Sequence, residues 1–332
     1  MANYLLAGAA GFIGARVAGL LLDTGHTVTG LDNLNQAYDV RMKSYRLEQL
    51  RDRPGFTFHK LDISDRSILD SAPLNPGTGI TRSTTFDAVI NLAARAGVRQ
   101  AVSDPWVYID TNITGTLNLL ELCRKLNIPK FILASTSSVY GANAPYPTPE
   151  DSDSDHPMQA YAASKKGAET LCHVYHHLYG LDVTVFRYFT VYGPVGRPDM
   201  SMFRFVQWIS EGRPLRLYGD GTQSRGFTYV DDIARGTIAG LKPLGYEIIN
   251  LGGHELITIL DLIRLLETLI GNQTEIEYYP AHPADMRSNW ANVDKAGKLL
   301  GWEPNVTLQK GVSELINWYN AERAWAQDIN TD

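Results

Sequence analysis

The run NYLLAGAAGFIG (residues 3–14) indicates the fold most directly. An apolar segment that favours a β-strand leads directly into Gly8, Gly11 and Gly14, and a helix-like segment follows. Glycines let the backbone turn tightly and approach a pyrophosphate, and the N-terminus of the following helix favours its negative charge. An ordinary turn between a strand and a helix would also account for the glycines. The order of strand, turn and helix nevertheless favours a dinucleotide site.

Asp32 supports this interpretation, because it ends a second apolar strand, HTVTGLD, at 26–32. A carboxylate there can hold the ribose 2′-hydroxyl of a dinucleotide and would repel a 2′-phosphate, so NAD is favoured over NADP. The alternative is a simple turn residue in the run LDN. Asp62 ends a third strand, and we expect it to lie near the adenine.

Short apolar strands alternate with helix-like segments through the first half of the chain. Such alternation is typical of a parallel sheet with helices on both faces. We therefore predict an α/β fold with a Rossmann-type, doubly wound parallel sheet and a smaller C-terminal lobe. Loops interrupt the alternation at 71–85 and 144–157. The patterns predict strands at 3–8, 26–32, 57–62, 86–94, 130–136 and 182–188, and helices at 12–24, 38–51, 111–127 and 160–179.

Composition excludes several classes of protein. The 332 residues are 44% apolar and carry a net charge of −6, which argues against a surface that binds nucleic acid. No apolar run approaches the length of about 18 residues that a membrane span needs, and the N-terminus does not resemble a secretory signal. Cys123 and Cys172 lie in helix-like apolar runs, so we expect reduced core thiols in a cytoplasmic protein.

The run YAASK places Tyr161 and Lys165 one helical turn apart, on the same face. A free tyrosine has a pKa near 10, and lowering it by about three units takes roughly 4 kcal/mol. A lysine one turn away, together with an oxidised nicotinamide ring, could supply this energy. The pair therefore predicts alcohol–ketone redox chemistry. A partly buried tyrosine beside a solvated lysine is the alternative, but the position after a fifth strand and the run STSSVYG (135–141) favours a catalytic pair.

The histidines of the same helix are not expected to bind a metal. His173 and His177 share a face with no cysteine or carboxylate at ligand spacing, and His176 lies beside them, so a surface helix is the simpler interpretation. Three tryptophans are interpreted as packing residues of the smaller lobe: Trp290, Trp302 and Trp318.

Taken together, these motifs resemble the extended short-chain dehydrogenases/reductases of the nucleotide-sugar epimerase and dehydratase type, from the first strand to about residue 320. The resemblance rests on 8–14, Asp32, 91–94, 135–141 and the Tyr161/Lys165 pair. It implies a tightly held NAD that is recycled in each turnover, and a homodimer formed through helices 111–127 and 160–179. It also implies two units, an NAD-binding domain at 1–187 plus about 228–260, and a UDP-sugar lobe at 188–227 and 261–332.

The resemblance also implies roles for individual residues. The catalytic set is Thr136, Tyr161 and Lys165. The substrate-binding set is Ser137, Ser138, Thr190, Arg197, Arg225 and Asp285. The cofactor-binding set is Gly8, Gly11, Phe12, Ile13, Gly14, Asp32, Asn33, Asp62, Ile63, Leu92, Ala93, Ala94, Tyr161, Lys165 and Tyr188.

The type of reaction follows from Thr136, Ser137 and Ser138. Sugar 4,6-dehydratases of the family have Thr-Asp-Glu at these positions, and UDP-glucuronate decarboxylases keep a glutamate at the third. Because this chain has neither acid, elimination and decarboxylation lose their expected proton-transfer groups. Hydroxyl groups suit simple oxidation and re-reduction at one carbon, which is an epimerisation through a transient 4-keto sugar.

Further stretches are similar to UDP-glucuronate 4-epimerases: LDNLNQAYDVRMK (31–43), RYFTVYGPVGRPDM (187–200) and PADMRSNWANVDKAGKLLGW (283–302). Thr190 stands where glucose/galactose epimerases usually have asparagine, and the Arg197 guanidinium is suited to a C6 carboxylate. The stretch GDGTQSRGFTYVDD (219–232) is nearer to the neutral-sugar enzymes, and Gly226 replaces a frequent aspartate. A UDP-glucose/UDP-galactose or N-acetylhexosamine 4-epimerase therefore remains an alternative. A catalytically silent NAD-binding protein is a further alternative, opposed by the intact Thr–Tyr–Lys set.

Overall fold

The computed structural model describes residues 1–71, 74, 86–98, 100–253, 255–281 and 287–331. Most of the predicted loop at 71–85 and the predicted substrate residue Asp285 lie outside these ranges. The strands are β1 (Asn3–Ala7), β2 (Thr27–Asp32), β3 (Phe56–Lys60), β4 (Ala88–Asn91), β5 (Lys130–Thr136), β6 (Asp182–Tyr188), β7 (Thr190–Tyr192), β8 (Leu215–Tyr218), β9 (Ser224–Tyr229), β10 (Tyr246–Leu251), β11 (Glu255–Thr258), β12 (Ile276–Tyr279) and β13 (Ser288–Asn289).

Helices connect and flank these strands. They are α1 (Phe12–Asp23), α2 (Val40–Arg51), α3 (Gln100–Ser103), α4 (Trp106–Tyr108), α5 (Gly115–Leu126), α6 (Ala160–Tyr179), α7 (Ser201–Ser210), α8 (Val230–Ala239), α9 (Ile259–Ile270), α10 (Asp294–Leu300), α11 (Leu308–Ala321) and α12 (Arg323–Ala326). A π-helical turn, Ile109–Thr114, joins α4 to α5.

A seven-stranded parallel sheet forms the centre, in the order β10-β6-β5-β4-β1-β2-β3. One apolar cluster packs α1, α2, α8 and α10 on one face of the sheet, and another packs α5 and α6 on the opposite face. This is the predicted Rossmann-type doubly wound α/β fold, and the six strands predicted for the first half are all present. The predicted strand at 86–94 ends at Asn91, because Leu92 and the residues after it leave the sheet and line a cavity.

A smaller lobe lies at the carboxyl ends of the strands. Strand β9 pairs with β7, β11 and β13, while β8 pairs with β12. Helices α7, α9 and α11 surround a separate apolar cluster in this lobe. Trp318 packs there as predicted, but Trp302 does not: it packs with α1 and α8 against the central sheet, and its indole donates to the Asp232 carbonyl at 2.8 Å. No helix in the described ranges combines the length and the apolar character needed to cross a bilayer.

Candidate active site

A cavity of about 450 Å³ opens between the central sheet and the smaller lobe, at the carboxyl ends of the parallel strands. Ligands of open α/β sheets bind at this edge. Thr136, every residue of the predicted cofactor set and every described residue of the predicted substrate set line this one cavity. The cavity is also lined by residues that the sequence analysis missed, among them Lys43, Tyr38 and Asn289.

The glycine turn forms the floor of the cavity. Gly8 has φ +86°, and a Cβ at Gly8 would lie 2.7 Å from the Ala93 backbone nitrogen. A Cβ at Gly14 would lie 2.0 Å from the Gly8 carbonyl oxygen. Side chains at these positions would therefore collide with the backbone, whereas glycine leaves space beside the N-terminus of α1. The turn thus fits the pyrophosphate of a dinucleotide.

Asp32 lies at the end of β2 with its carboxylate held in place. It accepts hydrogen bonds from the amides of Leu34 at 2.8 Å and Ala10 at 3.3 Å. The buried Lys43 ammonium lies 3.5 Å from the same carboxylate. Asp62, at the neighbouring strand end, accepts from the Asn33 side chain at 2.8 Å. The carboxylate of Asp32 therefore lies in the cavity wall, where its predicted contact with a ribose hydroxyl stays a prediction, and a lysine that spacing alone did not single out lies beside it.

Tyr161 and Lys165 lie in the first turns of α6 and face the end of β5. The Thr136 hydroxyl accepts from the Ser138 amide at 3.2 Å, and it lies close enough to the Tyr161 phenol to act on its pKa. Burial raises the pKa of Tyr161, while the Thr136 bond and the Arg197 charge lower it. The Lys165 ammonium donates to the Ala134 carbonyl at 2.8 Å, and its expected effect on the pKa of Tyr161 stays a prediction. Burial lowers the pKa of Lys165 itself to about 8, with Glu169 acting in the opposite direction.

A buried ionic network supports these residues from behind. Glu169 follows Lys165 by one helical turn, and Arg187 binds its carboxylate through two hydrogen bonds of 3.0 and 2.8 Å. The Ser135 hydroxyl donates to the same carboxylate. The Arg187 and Glu169 side chains are only 2% and 3% exposed. The network therefore ties α6 to β5 and β6 next to Tyr161 and Lys165.

Arg197 also lines the cavity, in a loop that is connected to the glycine turn. Its guanidinium binds Asp199 through two hydrogen bonds and approaches the Ala96 carbonyl at 3.5 Å. The buried Arg46 side chain donates to the Val195 carbonyl at 2.9 and 2.6 Å and to the Ala10 carbonyl at 3.3 Å. Arg46 thus connects the glycine turn to the loop that carries Arg197, a link between distant residues that the sequence analysis missed.

Strand β9 brings the remaining polar residues to the wall of the cavity. Asn289 of β13 lies opposite Arg225 of β9, and Thr190 of β7 lies opposite Phe227 of the same strand. Thr190, Arg225 and Asn289 line the cavity with Ser137 and Ser138. Within the described residues, His, Cys, Asp and Glu side chains form no group of three that could hold a metal ion.

Comparisons with known proteins agree with this geometry. The NAD dependent epimerase/dehydratase family matches residues 4–252. The chain is 54% identical to a UDP-glucuronate 4-epimerase of Thermodesulfobacterium geofontis (strain OPF15), over 96% of each chain. A probable UDP-glucuronate 4-epimerase of Rhizobium meliloti (strain 1021) is 37% identical over 96% of this chain and 97% of its own.

Solved structures give the same result. The structure of UDP-glucuronic acid 4-epimerase from Bacillus cereus, in complex with UDP-glucuronic acid and NAD, has a TM-score of 0.88 at 35% identity, and the match covers 96% of this chain and 99% of that one. The UDP-glucose 4-epimerase of Thermotoga maritima, with UDP-glucose, has a TM-score of 0.86 at 30% identity, covering 97% and 99%. The family resemblance inferred from the sequence is therefore confirmed: the chain belongs to the NAD dependent epimerase/dehydratase family.

Proposed function

We propose that this protein is an NAD-dependent isomerase that interconverts UDP-glucuronate and UDP-galacturonate by inverting C4 of the sugar. The 54% identity to a UDP-glucuronate 4-epimerase over 96% of the chain is the observation that carries the proposal. The cavity agrees with it, because Ser137 and Ser138, the positions at which a dehydratase would need acids, line it together with Tyr161.

Each of several residues that line the cavity can carry out one part of the reaction. Tyr161 takes the proton of the C4 hydroxyl as a phenolate, a form that the positive charges of Lys165 and Arg197 favour, and later returns it. Thr136 orients that hydroxyl and the phenol. Lys165 holds the end of β5 through the Ala134 carbonyl and offers its remaining protons to the cofactor ribose. A bound NAD would supply the acceptor and the donor of the C4 hydride. The 4-keto sugar must rotate between these steps so that the opposite face of C4 is presented.

The C6 carboxylate creates a hazard for such an enzyme. A ketone at C4 makes the sugar a β-keto acid, which loses carbon dioxide when the bond to the carboxylate aligns with the carbonyl π system. We infer that Thr136, Ser137, Ser138, Thr190 and Arg197 hold the carboxylate out of this alignment. All five side chains line the cavity, and Arg197 is the cation among them.

The cofactor assignments of the sequence analysis are retained as part of the proposal. Gly8, Gly11 and Gly14 would face the pyrophosphate, and Asp32 with Lys43 would face the adenosine ribose. Asp62 and Asn33 would lie at the adenine. Their support is the collision that any side chain at Gly8 or Gly14 would cause, and the fixed orientation of the Asp32 carboxylate.

The proposal is tested by incubating the purified protein with UDP-glucuronate and identifying the products and the dinucleotide that denaturation releases. UDP-galacturonate and NAD are the expected compounds. A UDP-pentose as main product would contradict the proposal that the five side chains hold the C6 carboxylate. Interconversion of UDP-glucose and UDP-galactose alone would favour the neutral-sugar alternative. The Thermotoga maritima structure and the stretch at 219–232 are the observations that favour this second candidate.

Replacing Arg197 with alanine separates the two candidates. A hydrogen bond to a charged group contributes about 1.5–3 kcal/mol, so we expect UDP-glucuronate to bind about 10- to 100-fold more weakly. UDP-glucose, which has no carboxylate, should bind with an affinity changed by less than about threefold. Isothermal titration of the two nucleotide sugars measures this, with Arg264→Ala on the exposed surface of α9 as the control. Equal losses for both sugars would contradict a carboxylate role for Arg197.

The homodimer and the cytoplasmic location implied by the family are also part of the proposal. Helix α6, one of the two helices named for the dimer, exposes Val174, Leu178 and Tyr179, and Leu178 is 60% exposed. Val174 and Leu178 are one turn apart and share a face. Apolar side chains so exposed favour an interface between copies. Buried free thiols at Cys123 and Cys172 fit the cytoplasm.

Leu178→Asp is expected to convert the dimer to a monomer, because a carboxylate cannot be buried in an apolar interface without a partner. Size-exclusion chromatography with light scattering measures the mass. Tyr278→Asp on β12 is the matched control, since Tyr278 is 61% exposed but lies in the smaller lobe. A monomer already in the unaltered protein, or a dimer that survives Leu178→Asp, would exclude this interface.

A further inference from the structure

Asn289 is held in a fixed position at the wall of the cavity. The Ser224 amide donates to the Arg287 carbonyl at 3.0 Å, and the Ser224 and Ser288 hydroxyls are 2.9 Å apart. On the other side, the Thr148 amide donates to the Trp290 carbonyl at 2.8 Å. The residues on both sides of Asn289 are therefore held by hydrogen bonds, Ser288 to β9 and Trp290 to the loop before α6. Its side chain enters the cavity.

The side-chain amide of Asn289 contacts Ser137, directly after the end of β5. Its Nδ2 donates to the Ser137 Oγ at 3.1 Å, across the gap between the smaller lobe and the end of β5. Ser137 follows Thr136 directly and is buried. A serine hydroxyl has one proton to donate and lone pairs that accept. Because the Asn289 amide occupies a lone pair, the Ser137 proton remains available to a group in the cavity.

We propose that Asn289 is a positioning residue for the acidic sugar: it holds Ser137 as a hydrogen-bond donor to the C6 carboxylate while the 4-keto sugar rotates. This inference rests on the proposed epimerisation of a UDP-uronate. A carboxylate only accepts hydrogen bonds, so every protein hydroxyl beside it must donate. A neutral CH₂OH group can donate or accept, so it does not depend on the direction of the Ser137 hydroxyl.

Asn289→Asp tests the direction of this hydrogen bond with almost no change in shape. An aspartate carboxylate can only accept, so Ser137 must turn its proton towards residue 289 and away from the cavity. The new negative charge also repels the substrate carboxylate. We expect kcat/KM for UDP-glucuronate to fall about 10- to 100-fold and the affinity for UDP-glucose to change by less than about threefold. Asn320→Asp, exposed on α11, carries the same charge change and is the control.

Asn289→Ala tests by a different measurement whether Ser137 holds the C6 carboxylate. Without the amide, the Ser137 hydroxyl rotates freely and holds the carboxylate less well, so a UDP-pentose should form as a larger fraction of the product. A residue that only stabilised the fold would lower the total rate and leave this fraction unchanged. The product fraction and the thermal unfolding midpoint are measured on the same holoenzyme preparations.

The outcomes separate the inference from the proposed function. If the unaltered protein does not convert UDP-glucuronate, both fail. If the unaltered protein converts it but Asn289→Asp keeps full activity, then Ser137 donates to residue 289 in the native enzyme and only the inference is overturned. Equal losses for UDP-glucuronate and UDP-glucose, with a lower unfolding midpoint, would also overturn it by assigning Asn289 a purely structural role.

Discussion

Tyr161→Phe is expected to lower turnover of UDP-glucuronate by about 10²- to 10⁴-fold, the usual contribution of a positioned general acid–base group. The substitution removes only the phenolic oxygen of a residue that lines the cavity beside Thr136. The ring and its contacts remain, so we expect the bound NAD and the affinity for UDP-glucuronate to stay within a few-fold of their original values. Coupled assays of UDP-galacturonate formation measure the rate, and the absorbance of released dinucleotide measures the cofactor.

Tyr108→Phe is the matched control for this experiment. The Tyr108 ring lies edge-on to Tyr161 with centroids 6.1 Å apart, and its hydroxyl donates to the Gly97 carbonyl at 2.9 Å. The same chemical change at this neighbour removes a single structural hydrogen bond of about 1 kcal/mol and should cost less than about tenfold in rate. Undiminished conversion by Tyr161→Phe, or an equal loss in both variants, would remove Tyr161 from the catalytic role.

Glu169→Ala is expected to lower the free energy of unfolding by about 3–5 kcal/mol, because it leaves the charge of Arg187 buried without its partner. The Arg187 side chain is 2% exposed and donates two hydrogen bonds to Glu169. Urea unfolding followed by fluorescence measures the change. Arg264→Ala is the control, because its ion pair with Asp261 is exposed and should contribute less than about 1 kcal/mol. Equal unfolding midpoints in the two variants would contradict a structural role for the buried pair.

The milder variant Glu169→Gln tests how this carboxylate acts on Lys165. Burial lowers the pKa of Lys165 to about 8, and the negative charge of Glu169 pushes it upward. Without that charge the ammonium loses its proton at lower pH. The alkaline decline of kcat, which appears as pH rises past the pKa of Lys165, should therefore move to lower pH. An unshifted alkaline decline in a stable Glu169→Gln protein would disprove the coupling.

Local sequence patterns were sufficient to predict much of the fold and of the candidate site. The glycine turn, Asp32 and the Tyr161/Lys165 pair each depend on residues close together in the chain, and all of them line the cavity. The predicted helix at 111–127 was only partly right, since helical structure begins at Trp106 and passes through a π-helical turn. That turn places Asn112 where it bonds both the Arg95 backbone and the Ser164 hydroxyl, contacts that no periodic pattern encodes.

The sequence by itself predicted the class of fold and singled out the glycine turn and the Tyr161/Lys165 pair, because spacing of a helical turn or less settles which side chains share a face. Tertiary structure decided the rest. Only folding brings Asn289 to Ser137, joins Arg46 to the loop of Arg197 and encloses Glu169 with Arg187. It also raises the pKa of Tyr161, because packing by distant segments of the chain removes water from the phenol.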